Sequence, residues 1–287
     1  MKTAVLFPLL LCSVQAFPAL KAMRSRRSVG CHATSTPGGL YRPFVEYAWS
    51  KLEKAGILLP SNGLLVPSKL ATNEAVAKGM PEGTVVKISV DAKQGQNSIQ
   101  YGRFALLETL LPEEETTVKG IQVLNLVVFG SPPLPVWGVD LVSLPGGKHL
   151  LAMDVQPMVS GESMLLPEKW KEWHETYVKD NFEWGGDLPE AASKFFSPYV
   201  LWTRLSGDDA VETIQTKVFD AFCAHLDLYL ECVASCPEPV KENHQAEYLD
   251  YRLQNDPARP MLKSLYGEEW TERVLEEVLF NKDRVLK

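Results

Sequence analysis

The sequence predicts a three-layer α/β/α sandwich with a central antiparallel sheet, and three observations carry that prediction. Strand-like patterns fill the first half of the chain and helical ones the second. The connections between strand patterns are short and contain glycine or proline, as in a meander. Some strands are apolar on both alternating sets, which fits a sheet covered on both faces. In "LPVWGVDLVSLPGG", residues 134–147, Val136, Gly138, Val142 and Leu144 form one set, and Trp137, Val139 and Leu141 the other.

The elements follow in order. The 287 residues, 45% of them hydrophobic, suit a globular core. "MKTAVLFPLLLCSVQA" has Lys2, an apolar run from Ala4 to Cys12, and small Val14 and Ala16, the pattern of a secretory signal. "FPALKAMRSRRSVGCHATSTPGG" is basic, rich in Ser and Thr and free of acid, like a transit peptide; the first acidic residue is Glu46. The pair, with Phe17 at the junction, resembles the two-part plastid address of algae with secondary plastids. Residues 1–35 are thus expected to be an address, and 36–287 one domain that works in the plastid stroma. No apolar run reaches the ~18–20 residues of a membrane span.

In "RPFVEYAWSKLEKAG", Phe44, Ala48, Leu52 and Ala55 share one helical stripe, with Pro43 in the first turn and Gly56 at the end. Strand patterns follow at 84–90, 97–111, 120–130, 134–147 and 149–156. Gly146-Gly147-Lys148 reads as a hairpin turn. Helical patterns occupy 167–182, 209–235 and 268–280. The second has a stripe of Val211, Ile214, Val218, Phe222, Leu226, Leu230 and Val233, with Asp209 and Glu212 as a capping box.

Residues 46–287 hold 23 basic and 36 acidic side chains, a net charge of −13 that disfavours nucleic-acid binding. Cys223, Cys232 and Cys236 are an odd number outside the address, which argues against a disulfide framework. Cys232, Cys236 and His244 lack a fourth zinc ligand, so no metal is expected. His225 lies on the apolar stripe of its helix and reads as a core histidine. Dinucleotide, P-loop, zinc-protease and serine-hydrolase signatures are all missing.

What remains is a set of polar residues in apolar surroundings. Asp140 interrupts its strand, and an unpaired carboxylate buried there costs several kcal/mol (on the order of 2–7 even for a neutral polar group). It must be paired, hydrogen-bonded, protonated or facing a cavity. Asn125 shares an alternation set with Ile121, Val123, Val127 and Phe129. Asp154, in "LLAMDVQP", is a third case. If Leu144 pairs with His149, Asp140 opposes Met153 and Asp154 points to the other face; a one-residue slip reverses this. Asp256 precedes Pro257, so its local sequence reads as a helix N-cap. Arg204 sits among aromatics in "FFSPYVLWTRL", as an element-end charge or a clamp for a ligand carboxylate.

"LPVWGVDLVSLPGG", "LLAMDVQP", "FFSPYVLWTRL", "LDLYLE", "DYR" and "NDPARPMLKSLYGEEWTERVLEEVLF" together resemble the ferredoxin-dependent bilin reductases, from about residue 40 to the C-terminus. The resemblance implies a linear tetrapyrrole held between the sheet and the C-terminal helices. No redox cofactor is bound by the enzyme; ferredoxin delivers electrons singly and the protein supplies protons. Asp140 and Asp256 match the family's two acids, and Arg204 an arginine on a bilin propionate. Arg252 and Arg259 are read as further substrate contacts and, with Lys263, as candidates for the basic patch an acidic ferredoxin needs. Asn125 stands where phycocyanobilin-forming members have histidine. That favours the branch reducing the A-ring diene of 15,16-dihydrobiliverdin to phycoerythrobilin. A monomer is expected, with a hand-off from the preceding bilin reductase. Two alternatives stay open: an enzyme making 15,16-dihydrobiliverdin from biliverdin, and a non-catalytic bilin carrier or lyase.

Overall fold

The computed structural model describes residues 39–60, 65–112, 118–160, 168–188, 193–236, 238 and 240–286; the address expected at 1–35 lies outside them. Seven strands form one antiparallel meander in chain order: β1 (Thr72–Val76), β2 (Val85–Gln94), β3 (Ile99–Leu110), β4 (Gln122–Gly130), β5 (Val136–Leu144), β6 (Lys148–Gln156) and β7 (Leu201–Ser206). Five are the expected ones. β1 and β7 are the two edges. β1 exposes Thr72, Glu74 and Val76 and only half-buries Asn73 and Ala75, and the sequence TNEAV accordingly shows no apolar alternation.

On one face, α1 (Arg42–Lys54), α3 (residues 168–181) and α4 (residues 210–234) cover Leu124, Leu126, Val128, Trp137, Val139, Leu141, Leu151, Met153 and Val155; α2 (Ser68–Ala71) is a single turn before β1. α1 is held by Phe44, whose ring meets Phe219 at 4.9 Å and Phe222 at 5.1 Å. Ala55, assigned to its stripe, is exposed instead, because the helix has ended there. The capping box of α4 does not form: Asp209 has helical φ and ψ and makes no cap bond, whereas a capping side chain needs an extended backbone. His225 is the core histidine expected; it accepts from Trp137 Nε1 at 2.7 Å, and burial pulls its pKa down to about 3.

The same face carries a buried polar row near the end of the sheet. Gln122, Ser143 and His149 stand in register on β4, β5 and β6. Tyr41 shares a 2.6 Å hydrogen bond with Ser143, which shares one of 2.7 Å with His149. Arg42 pairs with Glu108, itself 1% exposed. The start of the described chain is thereby pinned to the sheet.

On the other face lie α5 (Gln245–Asn255), α6 (Arg259–Tyr266), α7 (residues 268–279) and α8 (Lys282–Val285). They cover Val86, Ile88, Tyr101, Leu107, Val127 and Phe129. Tyr101 donates across the layer to the Val278 carbonyl at 3.1 Å. Both faces are covered, as expected, but not equally. Gly138, Asp140, Val142 and Leu144 on β5, and Leu150 and Ala152 on β6, are only half-buried. Their alternates on the first face, from Trp137 to Ser143 and from His149 to Met153, are fully buried. The C-terminal helices therefore leave an open trough along the middle of the sheet.

Candidate active site

Register decides which polar side chains reach this trough. β4 and β5 pair Asn125 with Asp140, and β5 and β6 pair Asp140 with Ala152. Leu144 pairs with Lys148, not His149, across Pro145–Gly147, where Gly146 and Gly147 have φ of 92° and 70°. This three-residue turn shifts the pairing by one, opposes Asp154 to Gly138, and turns Asp154 to the same face as Asp140. The expected separation of the two acids is thus corrected. Asn125, Gly138, Asp140, Asp154, Phe196, Tyr248 and Arg252 line one cavity.

That cavity is about 50 Å³, far below the ~300–1,000 Å³ of ordinary ligand sites. A large ligand here would have to extend over the half-exposed trough. Trp202 and Arg204 of β7 share this face, since Trp202 pairs with Ala152 and Arg204 with Leu150. Arg204 is exposed, with its guanidinium 5.6 Å from the Trp202 ring centre, and does not line the cavity itself. It lies two strands from Asp140, at the open edge.

The electrostatics concentrate on Asp140. Burial raises its pKa above the ordinary carboxylate range and Asp256 pushes the same way; Arg252, the Asn125 amide and Arg103 oppose them. Arg103, absent from the residues expected at the site, is fully buried on β3. Its Nε donates to the Leu279 carbonyl at 3.1 Å, and Nη1 to the Asn125 side-chain oxygen. Burial lowers its pKa to about 10, which leaves it charged at neutral pH. Arg103 and Arg252 both approach the Phe280 ring, at 5.6 and 5.7 Å. The only signal of Arg103 in the sequence is a lone cation in the apolar run "IQYGRFALL".

Asp256 is not the N-cap itself, which is Ala258, but it holds the turn between the two helices. Its Oδ1 accepts from the Ala258 N–H at 2.8 Å, capping the turn into α6. Its Oδ2 lies 3.6 Å from Arg252, so the break between α5 and α6 brings it into the charge cluster around Asp140. Arg252 Nε is buried without an acceptor in the structure. Arg259, by contrast, is turned away, paired with Glu272 and the Leu253 carbonyl. Lys263 pairs with Glu272 at 2.8 Å and Glu268 at 3.0 Å, so neither forms an uncompensated basic patch. Asp154 is 2% exposed and accepts from Ser197 twice, from N–H at 2.9 Å and from Oγ at 2.5 Å. Burial pushes its pKa up to about 7 against those bonds. Among the described residues no cluster of His, Cys, Asp and Glu could hold a metal.

Comparison with known proteins shows the family of the chain. The sequence model of the ferredoxin-dependent bilin reductases matches residues 115–281. The chain belongs to this family. The reductase is 35% identical over 263 residues, 86% of its own length and 95% of the relative's, to the phycoerythrobilin:ferredoxin oxidoreductase of Nostoc punctiforme. It is 41% identical over 182 residues, 57% of its length and 70% of the relative's, to that of Gloeobacter violaceus. Its fold is similar to that of tomato phytochromobilin synthase, crystallised in complex with biliverdin. The TM-score is 0.63, with 21% identity over 86% of this chain and 84% of that one. The reductase is therefore an oxidoreductase that takes electrons from ferredoxin and acts on a bilin. No helix among its described residues is long and apolar enough to cross a membrane.

Proposed function

We propose that this reductase converts 15,16-dihydrobiliverdin to phycoerythrobilin, adding two electrons from ferredoxin and two protons across the A-ring diene. The observation that carries the reading is Asp140: a carboxyl whose pKa burial raises, opening onto the sheet trough, with asparagine rather than histidine beside it at position 125. A proton donor working near neutral pH needs such a raised pKa. Asp256 supplies the second proton from the C-terminal side, and Asn125 and Arg252 hold the polar edge of the tetrapyrrole. Arg204, at the open end of the trough, takes a propionate; Arg259 supports Arg252 and Asp256 from behind through the Leu253 carbonyl. The apolar half-exposed residues of β5 and β6 supply the floor for a conjugated, mostly apolar ligand.

Residues 1–35 would deliver the enzyme to the plastid stroma of an alga with a secondary plastid. There it would act as a monomer on the bilin passed on by the preceding reductase. The names of the cyanobacterial relatives support the choice of reaction. The test is an anaerobic assay with reduced ferredoxin and each bilin separately, with products separated by chromatography. Phycoerythrobilin from 15,16-dihydrobiliverdin is the expected result. Conversion of biliverdin that stops at 15,16-dihydrobiliverdin would assign the other step, and tight binding without reduction would make the chain a carrier.

A further inference from the structure

Arg103 is a cation with no exposure, yet among the described residues no carboxylate forms a salt bridge with it; Asp140 and Asp256 act on it only from farther off. Its hydrogen bonds go to neutral oxygens, the Leu279 carbonyl and the carbonyl and side-chain oxygens of Asn125. Burying a guanidinium this way is costly, and packing alone would be served by an apolar side chain. Arginine has donors only. Its bond to Asn125 therefore fixes which end of that amide is oxygen, a choice that geometry alone leaves open. With Oδ1 committed to Arg103, Nδ2 is left for Asp140, whose carboxyl is in hydrogen-bond contact with Asn125.

We propose that Arg103 is a positioning residue for Asp140, acting through the Asn125 amide to select which carboxyl oxygen carries the proton. A carboxyl oxygen that accepts from Nδ2 cannot at the same time hold a proton directed at that nitrogen. The acid proton is thereby placed on the other oxygen, toward the trough. Without Arg103 the amide is free to rotate and accept the proton itself, which points it into the sheet. The buried charge has a second effect, since it eases loss of the proton from a carboxyl that burial would otherwise hold too tightly. The other groups facing Asp140 are Asp154 on β6, Tyr248 and Arg252 on α5, and Asp256 beyond it, with Tyr41 through the sheet. None of these can orient Asn125 from the β3 side.

The inference rests on Asp140 being the proton donor, and the experiment separates the two. Single-turnover reduction is followed from pH 5.5 to 9 in wild type, Arg103→Met, Asn125→Ala, the double variant and Asp140→Asn, with ferredoxin in excess. Arg103→Met should slow reduction about tenfold or more and move the alkaline limb of the pH profile up by about one unit, the scale of one nearby charge. Bilin affinity should stay within about twofold. In the Asn125→Ala background most of the slowing by Arg103→Met should be lost while the shift of the limb persists, because orientation runs through the amide and the charge acts directly. Additive losses, or an unmoved pH limb, would overturn the proposal. If Arg103→Met does not fold, Arg103→Lys keeps the charge but loses the planar fork. It should then keep the limb and lose rate, and wild-type rate in that variant would equally overturn it. Wild-type turnover in Asp140→Asn would instead sink the reading of Asp140 beneath it.

Discussion

Asp154→Asn is predicted to remove a large part of the pH dependence of stability. In the fold its pKa is pushed up to about 7, against 3.8 for the free side chain. A carboxyl raised by folding binds its proton more tightly in the native state. Its stability contribution is complete below pH ~4 and lost as pH rises toward 7. Three pKa units correspond to about 4 kcal/mol in total at ~1.4 kcal/mol per unit. About 2 kcal/mol of this falls between pH 5 and 7, and little more is lost above 8. Asparagine has the same shape and no titration, though one of the two Ser197 bonds will suffer, at roughly 1–3 kcal/mol. Urea unfolding at half-unit steps from pH 5 to 8.5 gives both quantities. The variant should be less stable than wild type at pH 5, and the gap should close or reverse by pH 8. Parallel curves for the two proteins would show that Asp154 does not titrate in this window and refute the reasoning.

Four more perturbations have expected outcomes. Asp140→Asn should fold and bind bilin but stall in reduction by at least 100-fold, an effect within the ~10²–10⁴ of general acid catalysis; Asp256→Asn, with its cap bond to Ala258 preserved, should lose activity without losing thermal stability. Gly138→Ala adds a methyl to the trough floor with its nearest neighbour 3.8 Å away, so unfolding should change by less than about 1 kcal/mol while bilin binding weakens severalfold; unchanged affinity by titration would move the ligand off this face. A chain starting at Thr36 should turn over normally, whereas one starting at Pro43 loses Arg42 from Glu108 and Tyr41 from Ser143, at a cost of about 3 kcal/mol or more in denaturant melts.

Much of the fold was legible because its central strands carry unambiguous patterns. Trp137, Val139 and Leu141 announce a buried face, and Phe44, Ala48 and Leu52 a helix against it. β1 was not legible, since an edge strand with exposed Thr72, Glu74 and Val76 has no alternation to show. The facing of Asp154 turned on a single residue of hairpin length, and only the left-handed pair Gly146 and Gly147 distinguishes the alternatives. Of the site, Asp140 and Asn125 stood out as polar groups in apolar strands, whereas Asp256, in the polar "QNDPARP", was reached only through the family resemblance. Ser197 explains why "LLAMDVQP" and "FFSPYVLWTRL" occur together: the serine of one binds the aspartate of the other. Arg103 stayed hidden because its partners lie 22 and 176 residues away, beyond the reach of any local pattern.

The two acids of the site differ in what holds them. Asp140 belongs to an interior strand paired on both sides, so displacing it means opening the sheet. Asp256 sits in the short break between two helices, tied by one N–H and one arginine. Local opening of such a joint is far less costly than strand separation. The joint can therefore drift, over evolutionary substitution, without disturbing the sheet. On the proposed mechanism, one proton would come from a fixed address and the other from an adjustable one. Relatives that reduce different carbons of the same pigment would need to re-aim only the second. Amide hydrogen exchange at Ala258 and Arg259, measured against Leu141, would report the difference in mobility directly.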